Sequence, residues 1–292
     1  MLYDITLRMS YVYDVPASGS HHILRLVPMN LGERQRLVAG SIRVDPDPDE
    51  VTGFTDFFRH PATYLQLRGA HEQLDIRMQA RVAVTAAQDS ADFSPMLDRL
   101  DGELTAHRAL DGSSPHHFLG PSPRLAEVPE IAAYGRERLA AGQTVRQVAE
   151  ALCKRIHEDF TYDGEATSVD TTPAQAFQLK RGVCQDFSHV MILALRSLGI
   201  PAGYVSGFLR TLPPPGKERL EGADAMHAWV RVWCGRATGW IELDPTNDIP
   251  AGADHVVVAY GRDYSDVAPV IGVLKSYGSH DIIQAVDVVP AG

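Results

Sequence analysis

Cys184, His227 and Asp244 are the residues of this chain whose types and order could together do chemistry. A nucleophilic thiol needs a base that takes its proton and later returns it. The base needs an acceptor on its other ring nitrogen, to fix its tautomer and stabilise its cation. Thiol, imidazole and carboxylate supply those roles. The expected chemistry is attack on a carboxamide carbonyl, loss of an amine, a thioester, and its resolution by water or by a second amine.

The elements that must position these groups can be read locally. Arg181-Gly-Val-Cys-Gln-Asp runs into Phe187-Ser-His-Val-Met-Ile-Leu-Ala-Leu-Arg-Ser-Leu-Gly. Within it Phe187, Val190, Met191, Ala194, Leu195 and Leu198 fall on one stripe of a helix, which Gly199 and Pro201 stop. Cys184 then lies in the first helical turn, where unpaired N–H groups and the helix dipole favour a thiolate and could hold an oxyanion. Gly182 permits a close approach of the chain just before it. Upstream, 144–158 is an amphipathic helix and Thr172-Pro173 opens another over 173–180. A strand at 203–209 follows the Cys184 helix.

His227 and Asp244 belong to a predicted hairpin. In 226–234, His227, Trp229, Arg231 and Trp233 alternate with Met226, Ala228, Val230, Val232 and Cys234, and 239–243 forms the return strand. A two-residue loop at 235–236 places Asp244 opposite His227, and a four-residue loop at 235–238 offsets it by two positions on the same face. An odd loop would put them on opposite faces. Trp229 and Trp233 share the face of His227, so Trp229 is a candidate substrate contact, with core packing as the commoner role of such an aromatic.

The remaining sequence bounds the reading. Three cysteines in 292 residues are not a disulfide framework. Cys153, inside the 144–158 helix, and Cys234, opposite His227, are expected to be core thiols. A reducing, cytoplasmic setting is the expectation. A net charge of −10 without a basic block argues against nucleic acid as a partner, and the absence of a long apolar run argues against a membrane span. The pairs His21-His22 and His116-His117 lack metal-ligand spacing, Asp45-Pro-Asp-Pro-Asp lacks the pattern of a calcium loop, and no nucleotide-binding glycine motif is present. Neither a metal nor an organic cofactor is expected.

The first third alternates as strands, at 2–13 and 74–84, with a hairpin partner expected at 22–28 after a turn at 18–20. Pro/Ser/Gly-rich 86–124 reads as a link between domains. The loop 210–224, with Pro213-Pro-Pro, is expected to border the cleft.

Arg181-Gly-Val-Cys-Gln-Asp-Phe-Ser-His, Leu198-Gly-Ile-Pro-Ala, Tyr204-Val-Ser-Gly, His227-Ala-Trp-Val and Trp240-Ile-Glu-Leu-Asp-Pro-Thr-Asn together resemble the core of bacterial transglutaminase-like proteins. The resemblance implies an α+β, papain-like fold with a Cys/His/Asp triad, and it carries those roles onto Cys184, His227 and Asp244. Tyr11-Val-Tyr-Asp-Val-Pro and Leu24-Arg-Leu-Val-Pro resemble the β-rich domain that often precedes this core, while Thr52-Gly-Phe-Thr-Asp-Phe-Phe departs from the turn usual there. Gly261-Arg-Asp-Tyr-Ser-Asp-Val-Ala-Pro-Val resembles the extension that follows the Asp strand. The expected organisation is an antiparallel, sandwich-like N-terminal domain at 1–120 and a catalytic domain at 121–292, with its motif core at 155–250. The expected function is a cysteine protease or amidase acting on a peptide, protein or small amide. The alternatives are a Gln–amine cross-linking acyltransferase and a non-catalytic peptide-binding module.

Overall fold

The computed structural model describes residues 1–85, 91–211, 222 and 224–291. The chain begins with a long strand, β1 (Leu2–Leu24), followed by β2 (Gln35–Asp45), β3 (Glu50–Thr55), β4 (Pro61–Leu67) and β5 (His71–Val84). In the first half of β1 the expected alternation holds: Tyr3, Ile5, Leu7 and Met9 are buried between more exposed neighbours. The expected hairpin at 18–20 does not form. β1 runs on through irregularities between Val12 and Ala17 and between Ser18 and His21, with Gly19 at φ +54° taking up a bend. Its first half pairs with β5 and its second half with β4. β5 and β2 thus build on the first half of β1 and β4 and β3 on its second half, two antiparallel groups joined through one bent strand into a curled sheet, as the antiparallel β domain expected from sequence.

The predicted link is ordered where it is described. It carries α1 (Leu100–Ala106), whose Leu100 and Leu104 are buried, and Phe118, which is fully buried. Its glycines and prolines shape a packed connector. A Cβ at Gly112 would sit 2.2 Å from the Phe57 carbonyl oxygen, so the two segments touch backbone to backbone.

Next come α2 (Pro129–Arg136), α3 (Val145–Asp159), β6 (Thr161–Tyr162), α4 (Pro173–Leu179), β7 (Arg181–Gly182) and α5 (Cys184–Ser197). Thr144 and Thr172 each open a helix through a capping box with the Gln three residues on. Behind α5 a second sheet forms from β8 (Ala202–Leu209), β9 (Ala225–Trp233), β10 (Trp240–Asp244), β11 (Ile249–Pro250) and β12 (His255–Gly261), in the order β11-β10-β9-β8-β12. The turn between β9 and β10 is α6 (Gly235–Thr238), and Trp233 pairs with Trp240, the register of a four-residue connection. α5 packs on β8 and β9, and its apolar stripe (Phe187, Val190, Met191, Ala194, Leu195) is buried. This is the mixed α+β fold the sequence implied, with the cysteine on a helix and the histidine and aspartate on the facing sheet.

After α7 (Tyr264–Val267) the chain leaves the core. β13 (Val270–Lys275) and β14 (His280–Pro290) return to the first sheet and pair with the two halves of β1. The boundary expected at 120/121 thus does not divide the sheets, because the last two strands complete the N-terminal one. Most of the loop 210–224 lies outside the described residues. Its base is tied to β14, where the Asp224 N–H donates to the Val286 carbonyl and the Val288 N–H to Asp224 Oδ2. No described helix is long and apolar enough to cross a membrane.

Gly207 lies opposite His227 on the neighbouring strand, where a Cβ would meet the Val256 carbonyl oxygen at 2.1 Å and Trp229 Cη2 at 2.5 Å. Both obstacles are held in the sheet core, so the chain must shift to accommodate a methyl group. Gly207→Ala is expected to destabilise the fold by about 3 kcal/mol, read as a lowered midpoint in chemical or thermal denaturation. Gly53→Ala, with open space around the added methyl, should change it little.

Candidate active site

Cys184 is the first residue of α5, and the loop before it is fixed from within the helix. Asp186 Oδ2 accepts the Val183 N–H at 2.8 Å and the Thr167 hydroxyl at 2.7 Å. Burial lifts the Asp186 carboxyl above its ordinary pKa, and those two hydrogen bonds oppose the shift. Gly182, at φ +156°, makes the approach possible: a Cβ there would stand 2.3 Å from Asp186 Oδ2. Cys184 keeps partial exposure, while Cys153 and Cys234 are buried. Burial raises both buried thiols, that of Cys234 to about 12.

His227 faces Cys184 from β9. Its Nε2 lies 2.8 Å from Asp244 Oδ2, leaving Nδ1 as the ring nitrogen that meets the thiol. Burial by itself lowers the His227 pKa. The hydrogen bonds to Asp244 and Cys184, with the charges behind them, outweigh burial and push it up to about 10. The three residues singled out from sequence are thus brought together, in the register with Asp244 two positions along.

Asp244 has no exposed surface. Its Oδ2 accepts from His227, from Asn247 Nδ2 at 2.7 Å and from His255 Nε2 at 3.2 Å, and its Oδ1 accepts the N–H groups of Thr246 and Asn247 at 2.9 and 3.3 Å. Burial disfavours this charge, but the donors more than offset it and hold the carboxyl well below the usual carboxylate range. His255 has its tautomer set by the Gly252 N–H, which donates to Nδ1 and leaves Nε2–H to donate to Asp244. Ligand atoms of His227, Asp244 and His255 lie within 4.8 Å of one another. They are donor types a divalent cation would accept, and here they satisfy each other.

Trp229 differs from expectation. It is fully buried, and its indole N–H donates to Glu242 Oε2 at 2.7 Å. It offers no surface to a substrate. Its ring stacks on His227 (centroids 6.1 Å apart, planes 28°) and meets His255 edge to face at 5.1 Å, so it acts as a floor beneath the histidines. Glu242 is a second buried carboxylate on β10, two positions before Asp244. It accepts from Trp229, from the Tyr260 hydroxyl at 2.8 Å and from Arg34, whose Nη2 lies 2.6 Å from Oε2. Arg34 belongs to the N-terminal segment. Beside it, the buried Gln35 side chain bonds to both the N–H and the carbonyl of Val257, and His60 bonds to Tyr260. The N-terminal domain is therefore stitched by side chains into the sheet that carries the site.

Sequence reasoning missed Glu242, Arg34 and His255. The period-2 rule carried a usable signal for Glu242, which shares the face of Asp244. Arg34 and His255 had none, because they arrive from other strands.

The chain belongs to the transglutaminase-like superfamily. Residues 133–245 match its core and residues 3–83 match the bacterial transglutaminase-like N-terminal region. An uncharacterized protein of Mycobacterium tuberculosis is 35% identical over 99% of this chain and 92% of its own length. An uncharacterized protein of Mycobacterium leprae is 29% identical over 95% of each. The crystal structure of a "Putative Cysteine Protease" from Cytophaga hutchinsonii superposes with a TM-score of 0.73 at 20% identity, covering 100% of this chain and 92% of that one, a likeness of fold.

Two outcomes follow from this geometry. Arg34→Met leaves the Glu242 charge without its cation and is expected to lower stability by about 2 kcal/mol, less than for a fully enclosed pair because Arg34 is 35% exposed. Glu242→Gln in the Arg34→Met background should recover part of the loss, measured as a double-mutant cycle in urea. In the native protein near pH 7, iodoacetamide should label Cys184 at least about tenfold faster than Cys153 or Cys234, resolved by peptide mass mapping.

Proposed function

We propose that this protein is a cysteine-nucleophile amide hydrolase, a protease or amidase that works through a thioester on Cys184. The observation that carries the reading is the continuous chain from Cys184 to His227 to the fully buried Asp244, with His227 held protonatable between them. Transglutaminase-like superfamily membership supports the same chemistry.

In the proposed cycle His227 Nδ1 takes the Cys184 proton while Nε2–H stays bonded to Asp244. The sulfur attacks the amide carbonyl, and the developing oxyanion lies beside the backbone N–H groups that open α5. As the tetrahedral adduct collapses, the C–N bond breaks and His227 returns the proton to the leaving amine. Water then enters, gives a proton to His227 and attacks the thioester. The acid leaves, and the sulfur recovers its proton. Asp244 remains ionised throughout. Its role is to hold the ring and the charge that forms on it.

Water is the favoured acceptor over a second amine. Trp229 and Trp233, the two aromatics on the face of His227 that could wall a tunnel for an acceptor amine, are both buried, Trp229 stacked on His227. A cytoplasmic site of action is part of the proposal and rests on the low cysteine count, three in 292 residues.

Incubation with a pool of glutaminyl and unmodified peptides should trap an acyl group on Cys184, visible by mass spectrometry after acid quench. Cys184→Ala should abolish both adduct and turnover, and Asp244→Asn should lower kcat by about 10²- to 10⁴-fold. Products carrying added amine in preference to free acid would reassign the reaction to transfer. Absence of any adduct across the pool would refute the proposal.

A further inference from the structure

A cavity of about 370 Å³ lies between the first sheet and the core. Tyr11 and Tyr13 of β1 line it from the sheet, Ile282 comes from the returning strand β14, and Val169 and Tyr264 come from the core. Among the described lining residues there is no Lys, Arg, Asp or Glu. The return of the C-terminal strands to β1 thus builds part of the wall.

The cavity adjoins the site already described. The Val169 carbonyl accepts the side-chain N–H of Gln185, the residue after Cys184, at 3.3 Å. The Tyr264 ring packs edge to face on Tyr204 at 6.2 Å, and the Tyr204 ring lies 5.1 Å from that of His189 on α5, the helix that Cys184 opens. A chain bound across the thiol could therefore place a side chain here. The wall also holds an unfinished group. His22 lines the cavity, is 4% exposed, and has no hydrogen-bond partner for either ring nitrogen. Burial, helped by His71 and His21, pushes its pKa down to about 4, so the ring is neutral at ordinary pH.

These features select by charge and by shape. A charged side chain entering the cavity would lose water and find no carboxylate, ammonium or guanidinium group in the described wall, whose polar groups include the His22 and His280 imidazoles. An aromatic ring would meet tyrosine faces, which reward edge and offset contacts beyond simple burial. The volume holds one large side chain with room for adjoining backbone.

We propose that this cavity is a specificity subsite that takes a bulky, uncharged, preferentially aromatic side chain of a peptide substrate next to the amide that Cys184 attacks. The proposal rests on the reading of Cys184 as the nucleophile, and it names the substrate class of that same site.

The test reads binding apart from turnover. Cys184→Ala protein is titrated against fluorescein-labelled tetrapeptide amides that differ only in Phe, Leu, Asp or Lys, placed at each of the two residues before the terminal amide. Fluorescence anisotropy should show the Phe peptide binding at least about tenfold tighter than the Asp and Lys peptides at one position, with Leu between them. Ile282→Asp, at a 53% exposed position in the wall, should erase that preference. Ile283→Asp, on the opposite face of the same strand and 64% exposed, should leave it intact. Equal affinities for all four peptides, or a Phe preference that survives Ile282→Asp, overturn the subsite. Failure of the wild-type protein to form a thioester with a tightly bound peptide overturns the reading of Cys184 and leaves the subsite standing.

Discussion

A carboxylate with no exposed surface sets the terms for the rest of the site. Asp244 carries a charge that burial alone would suppress, so the surroundings must supply donors for it. They come from five groups: two histidines, one asparagine side chain and two backbone N–H groups of the turn that follows. Satisfying Asp244 orients His227, and orienting His227 points its free nitrogen at Cys184. The turn Pro245-Thr-Asn does more than end a strand, since it wraps its N–H groups around the charge two bonds from the backbone that bears it.

Glu242 repeats the problem two residues earlier. Its charge is met by Arg34 from the N-terminal domain, by the Trp229 indole and by Tyr260. The same tryptophan is the floor on which His227 stacks. The N-terminal domain therefore reaches the candidate general base through three contacts in series, from guanidinium to carboxylate to indole to imidazole. Gly207 is part of the same packing, because its missing side chain is the space that Trp229 fills. A β domain that bears none of the reacting groups thus bears on their geometry.

Much of this was legible locally. The stripe from Phe187 to Leu198 described α5, and Gly182 before Cys184 described a tight entry, because both rest on contacts within a few residues. The hairpin register narrowed to two cases on one face, because side chains alternate strictly along a strand. What was misread was non-local. Residues 18–20 looked like a hairpin turn, with Gly19 between serines, yet β1 continues because β4 and β13 pair with its far half. The 86–124 segment looked like a linker from its Pro, Ser and Gly content, yet Phe118 and Leu100 are buried. Trp229 looked available to substrate because a strand face shows which residues share a side, and not what covers that side.

The sequence by itself determined the helix that presents Cys184, the strands that carry His227 and Asp244, and the chemistry those three types can share, since each depends on residue identity and short-range periodicity. The tertiary structure alone decided that β13 and β14 close the first sheet, that Arg34 answers the charge of Glu242, and that His255 joins His227 on Asp244. Those outcomes pair residues far apart in the chain, and they are selected by the need to satisfy buried charges and unpaired strand edges once the chain has collapsed. No local pattern encodes such a requirement, because the requirement exists only after burial.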